Sequence, residues 1–191
     1  MPRAGLDTDA VVDAAARLAD ADGLESLTLA RLAAELSIRA PSLYAHVDGL
    51  EDLRRRIGAR GARALADALA RAAAGRAGPD ALTAIADTYR AFARAHPGSY
   101  AALQRARELS DSEEAVVAAQ AVVDVVVAVL HGYDLEGDDA VHATRAIRAA
   151  LHGFVVLEEV GGFAIDLPVD ESFDRLVATL DAGLRESGGE P

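Results

Sequence analysis

The chain has 191 residues, and 51% of them are hydrophobic, enough for a substantial core and too many for global disorder. Alanine supplies 44 residues and aromatics only 4%; alanine costs least to place in a helix, so this bias predicts an all-α chain with closely approaching helices. The net charge of −12 argues against non-specific coating of nucleic acid, and the absence of cysteine excludes disulfides and thiolate metal sites, which fits a reducing cytoplasm.

The charge is uneven. Residues 1–60 hold 8 Arg and 10 acids, whereas residues 61–191 hold 11 Arg and 21 acids, so a small DNA face at one end of an acidic body stays compatible with the total. No apolar stretch follows Met1-Pro2-Arg3, and a secretory signal is not expected. The most apolar segment, Ala115 to Leu130, is interrupted by Gln120 and Asp124 and falls short of the roughly 20 residues of a membrane span. It predicts a buried helix and no membrane partner.

In chain order, a first helix starts near Asp7 or Thr8, either of which can accept from the unpaired N–H groups of the first turn. Val11, Val12, Ala15, Leu18 and Ala19 share one face, and Gly23 supplies the stop. Thr28 begins a short helix with Leu29, Leu32, Ala33 and Leu36 at i, i+3, i+4, i+7. Ser37-Ile38-Arg39 separates it from a third helix over Ala40–Val47, with Pro41 in the first turn, where a missing N–H costs nothing. Asp48-Gly49 breaks the chain, and a long helix runs from about Leu50 to Ala74. Further helices are predicted over 80–95, 97–108, 112–131, 138–160 and 171–187, punctuated by His96-Pro97-Gly98, His131–Gly137 and Gly161–Pro168. Gly58 and Gly61 lie inside the long helix, marking either a hinge or the close approach of another helix.

Two short helices joined by three residues, with small Ala33 on the inner side, are what a helix-turn-helix requires. Ile38 and Leu43 would fill the angle between them, and Val47 would close the core against the first helix. The exposed positions of the second helix could then enter a major groove. The segment Thr28 to Val47, ending in Leu43-Tyr44-Ala45-His46-Val47, resembles the TetR family of bacterial regulators. His96-Pro97-Gly98-Ser99-Tyr100 and Leu151-His152-Gly153-Phe154 are similar to the family's sensor domain of the Trp-His-Gly type, with Leu151 in the Trp position. The resemblance implies a homodimer with a DNA-binding headpiece over 1–49 and a helical ligand-sensing and dimerisation domain over 50–191. Three positions depart from the family pattern: Ser37 where Gly is usual, Arg39 where a Ser or Thr cap is usual, and Leu50 where a phosphate-binding Lys is common. Arg54 and Arg55 are candidates to replace that Lys, against a reading as solvated helix charges.

The DNA-binding candidates are Thr28, Arg39, Ser42, Tyr44 and His46. Arg39 can make a bidentate pair with a guanine edge, and Ser42 faces the same way. Tyr44 and His46 match family positions that hold phosphates; the competing reading of Tyr44 is core packing. Thr28 serves as helix cap and phosphate contact at once. Tyr89, Tyr100, Arg107, His152 and Phe154 are candidates to line a ligand pocket, or else simply fill gaps in an Ala/Val-rich bundle. His142 and His152 do not share a helical face, and no metal or cofactor is expected. No phosphate loop or nucleophile elbow appears, so an enzyme is not expected. The resulting expectation is a transcriptional repressor released from a double-stranded operator by a small molecule. The alternative is a helical small-molecule-binding protein or enzyme without specific DNA binding.

Overall fold

The computed structural model describes residues 6–106 and 113–189. They form eight α-helices and three short 3₁₀ turns, with no strand among the described residues. The helices are α1 (Thr8–Asp22), α2 (Leu29–Glu35), α3 (Leu50–Ala73), α4 (Gly78–Ala95), α5 (Pro97–Ala106), α6 (Glu113–Leu130), α7 (Gly137–Glu159) and α8 (Val169–Gly188). Two of the 3₁₀ turns, Leu24–Ser26 and His131–Tyr133, occupy stretches where the sequence showed only breaks.

The helix starts follow from local chemistry. The Asp7 carboxylate accepts from the Ala10 amide at 2.7 Å, and the Thr28 hydroxyl accepts from the Arg31 amide at 3.2 Å. Gly23 closes α1 at a φ of 86°, a region closed to most side chains. The expected third helix is shorter and tighter than predicted, a 3₁₀ turn over Ala40–Ala45 that ends at His46. Arg39 caps it with no side-chain hydrogen bond, and six residues give too few bonds to hold an α-helix by themselves.

The chain folds as two compact units. One comprises the chain up to Ala64 together with Ala95–Ala119; the other comprises Leu65–Arg94 and the chain from Gln120 onward. The core of the first gathers Val11, Ala15, Leu32, Leu43, Leu53 and Ile57, all fully buried, and Ala102 from α5 belongs to the same cluster. Burying each of the larger aliphatic side chains contributes about 1.5–3 kcal/mol. In the second unit α4 buries Leu82, Ile85, Ala86 and Tyr89, α7 buries Ile147, Leu151 and Phe154, and α8 buries Phe173, Val177 and Leu184.

Two charged features mark the second unit. Arg90 of α4 donates through Nε to Glu158 of α7 at 2.9 Å and through Nη2 to both Glu158 and Asp170, while its guanidinium lies over the Phe154 and Phe173 rings. The Tyr133 hydroxyl donates to Asp181 at 2.7 Å; burial, and then that carboxylate, push the phenol well above its usual range.

The expectation for the most apolar segment needs correction. Helix α6 is not a buried helix: only 22% of its apolar window is buried, and Val116 and Val117 stand in solvent. Apolar residues run around the whole helix, but a single helix can turn only one stripe toward a core. By length and composition alone the stretch Glu113–Tyr133 would suffice to cross a membrane.

Candidate nucleic-acid interface

The turn between α2 and the Ala40–Ala45 element is closed by backbone bonds. The Ser37 amide donates to the Ala34 carbonyl at 3.1 Å and the Ile38 amide to the Ala33 carbonyl at 2.9 Å. This closure puts Ser37 in the left-handed region, with φ at 54°. Ala33 is buried at the crossing, Ile38 packs against the core, and Leu43 and Val47 are sealed inside it. Those four residues fix the geometry of the helix-turn-helix.

The other side of the same element faces out. Arg39, Pro41, Ser42, Tyr44 and Ala45 are exposed, and Tyr44 is 62% accessible, so core packing does not explain it. Burial of Leu43 fixes which way Tyr44 and Ser42 must point. His46 is half-buried at the end of the turn, its Nδ1 3.4 Å from the Thr8 hydroxyl, which ties the recognition element to the start of α1. Thr28 is exposed at the start of α2, with its hydroxyl already engaged as the cap.

The arginines of this unit are largely neutralised from within. Arg31 pairs with Asp22, Arg54 with Glu51 at 2.9 Å and Glu25 at 3.5 Å, Arg55 and Arg56 with Asp52, and Arg60 with Asp13 at 2.6 Å. Asp52 is buried, and burial alone would raise its pKa. Hydrogen bonds from Arg56, the Asp48 amide and Arg55 outweigh that and hold the carboxyl below its usual range. Arg54 and Arg55, candidates to replace a phosphate-binding Lys near Leu50, are thus both engaged with carboxylates. Arg39 is exposed on the outward side of the Ala40–Ala45 element and makes no ion pair among the described residues.

The pocket candidates fall in different units. Tyr89, His152 and Phe154 belong to the second unit, Tyr100 to the first, and Arg107 lies outside the described residues. Tyr89 and Tyr100 are buried. Phe154 packs in an aromatic cluster, its ring centroid 4.7 Å from that of Phe163 and 5.0 Å from that of Phe173. Burial, and secondarily Arg148, push the His152 imidazole below its usual pKa, favouring the neutral form. The sequence reading missed Arg90, which lies against the same Phe154 ring; an isolated Arg in an amphipathic helix carries no sequence signal of what will surround it. It also missed Asp20, whose carboxylate accepts from the Ser99 amide at 2.7 Å.

The family described as "Tetracyclin repressor-like, C-terminal domain" matches residues 82–180. The "Uncharacterized HTH-type transcriptional regulator Rv0681" of Mycobacterium tuberculosis is 40% identical over 95% of this chain and 83% of its own length. Among solved structures, a Rhodococcus protein of unknown function superimposes with a TM-score of 0.82 at 24% identity, covering 97% of this chain and 99% of its own. A TetR variant from Acinetobacter baumannii, solved with minocycline, gives a TM-score of 0.72 at 22% identity over 97% of this chain and 100% of its own.

Proposed function

Because the chain belongs to the TetR family of helix-turn-helix transcriptional regulators, we propose that it is a dimeric, cytoplasmic repressor released from its operator by a small molecule. The observation that carries this reading is the exposed face of the recognition element. There Arg39, Ser42 and Tyr44 stand in solvent over a sealed Leu43 and Val47. Arg39 reads a base edge, Ser42 touches a neighbouring base or phosphate, and Tyr44, His46 and Thr28 hold phosphates and so set register. The headpiece over 1–49 reads DNA, and residues 50–191 sense the ligand and dimerise. Two heads are needed because half-sites lie a helical turn or more apart.

The ligand pocket draws on Tyr89, His152 and Phe154 of the second unit. A ligand lowers operator affinity only if it binds the DNA-incompetent conformation more tightly. No catalytic role is assigned to any residue.

The test is fluorescence anisotropy of the full chain with a labelled fragment from upstream of its own gene, titrated at several salt concentrations. A specific regulator gives a steep log–log salt dependence and saturates as a dimer. Tyr44→Phe weakens binding roughly uniformly across sequences. Unchanged affinity for that variant overturns the phosphate role, and a monomer in sedimentation overturns the two-headed arrangement.

A further inference from the structure

Helix α5 is built into the unit that carries the recognition element. Its N-terminus is capped from outside: the Asp20 carboxylate of α1 accepts from the Ser99 amide at 2.7 Å and the Ser99 hydroxyl at 3.2 Å, with His96 Nδ1 also at 3.2 Å. Pro97 has no N–H to satisfy, so Asp20 takes one of the few unpaired donors of that first turn, and its charge faces the positive end of the helix dipole. The approach is close enough to demand glycine. A Cβ at Gly98 would overlap the Ala19 carbonyl and lie 2.6 Å from the Asp20 nitrogen; one at Gly61 of α3 would meet the Ser99 carbonyl at 3.1 Å.

The other end of α5 is tied down as well. Arg105 pairs with Glu25, the residue that also meets Arg54 of α3. The start of α6 is tied to α3 by Arg63–Glu114 at 2.6 Å, across a cleft of about 350 Å³ where Arg56, Arg60 and Arg63 face Asp9, Asp13 and Glu114. Ala102 completes the core that contains Leu32 and Leu43.

We infer that α5 is a structural part of the DNA-reading unit, and that Asp20 is the positioning residue that locks it onto α1. The recognition element is then held from behind through α1 by a helix that follows it by some fifty residues. Asp20 makes no contact with DNA in this scheme; it acts through Ser99, and Gly98 and Gly61 are the residues that let the lock close.

The test is hydrogen exchange on the full chain without DNA, comparing wild type with Asp20→Ala and Asp20→Asn. In Asp20→Ala, peptides over 97–106 and over 8–22 lose protection together, while those over 78–94 and 137–159 keep wild-type values. Asp20→Asn recovers most of the loss, because the amide oxygen still accepts from Ser99. Gly61→Ala reproduces the pattern at smaller amplitude. Loss confined to the first turn of α5, loss spread evenly over the chain, or an Asn variant as damaged as Ala each overturns the lock. On the upstream DNA fragment, Asp20→Ala weakens binding about tenfold, the scale of a lost cap, with an unchanged salt slope because no phosphate contact is lost. Unchanged affinity overturns the positioning role. A wild-type protein that ignores the fragment overturns the regulator reading instead, and the exchange result then decides the lock alone.

Discussion

Replacing Arg90 by Met removes a charge from the interior while keeping most of the side chain's volume. Arg90 is 9% exposed and its main partner, Glu158, is 19% exposed at the side chain, so the loss leaves a carboxylate largely out of water with nothing to pair it. Breaking a buried pair from one side costs about 3–5 kcal/mol. Water still reaches part of Glu158, which lowers that to about 2–3 kcal/mol. The two ring contacts, at 5.4 Å to Phe154 and 4.7 Å to Phe173, contribute about 0.5–1 kcal/mol each, partly replaced by the thioether. Asp170, 81% exposed, adds almost nothing. The expected loss is therefore about 3 kcal/mol.

Urea unfolding followed by circular dichroism, at one fixed protein concentration, measures this loss as a shift in midpoint at constant slope. Arg90→Met with Glu158→Leu should recover most of the loss, since the stranded charge is gone. The pH dependence follows from the sign of the shift at Glu158. The hydrogen bond from Arg90 is the main cause that holds its carboxyl below the usual value, against the opposing effect of burial. Its contribution is therefore complete above the unfolded pKa and is lost as pH falls through the folded one. The penalty of Arg90→Met must shrink in acid, where Glu158 is neutral. A loss under 1 kcal/mol at neutral pH, or a double variant as unstable as the sum of the singles, refutes the stranded-charge account.

Ser37→Gly relieves a non-glycine residue held at positive φ and raises stability by about 0.5–1 kcal/mol, read as a higher thermal midpoint. Arg39→Ala costs about 1–3 kcal/mol on the cognate site and relaxes specificity at one base-pair position, which a panel of single-base operator variants detects; equal losses on every variant would make Arg39 a phosphate contact. Thr28→Ala lowers stability by about 1 kcal/mol through the lost cap at the Arg31 amide, measured in the absence of DNA.

Helices were legible because their signals are local. Asp7, Thr28 and Gly23 announce their roles within four residues, and the i, i+3, i+4 spacing of Leu29, Leu32 and Ala33 leaves one side to bury. The departure at Ser37 was legible only through the family resemblance, and the positive φ of 54° there gives it a physical meaning. The recognition element's 3₁₀ form was not legible: it depends on small differences in turn geometry that no propensity resolves. Burial of α6 was misjudged because composition counts apolar residues but not the surface available to cover them. Asp20 was invisible for a related reason. An acid in the last two turns of α1 looks like ordinary solvated charge, and its partner Ser99 lies 79 positions away. His96-Pro97-Gly98 stands out in the sequence as a motif, yet its glycine is explained only by the Ala19 carbonyl it approaches.

The acidic composition and the DNA-reading assignment meet in how this unit uses its arginines. Arg54 shows the pattern most clearly: its side chain is mostly buried, it pairs with the exposed Glu51 and Glu25, and its Nε is enclosed without an acceptor, so swinging it toward a phosphate would disturb packing as well as two ion pairs. Exposed pairs such as Arg31–Asp22 hold less firmly, since each is worth under about 1 kcal/mol and a phosphate can compete for the guanidinium. Internal pairing therefore does not forbid DNA binding; it sorts cations by how readily they are released. Long-range attraction is weak for a chain of net −12, and a wrong sequence that offers only phosphates gains little. In the proposed reading, affinity comes from short-range fit, with Arg39 as an exposed cation that makes no ion pair among the described residues, Tyr44, His46 and Thr28 as polar holds, and two heads at fixed spacing. A lock such as Asp20–Ser99 matters more under those conditions, because a face with few strong contacts tolerates little error in where they point.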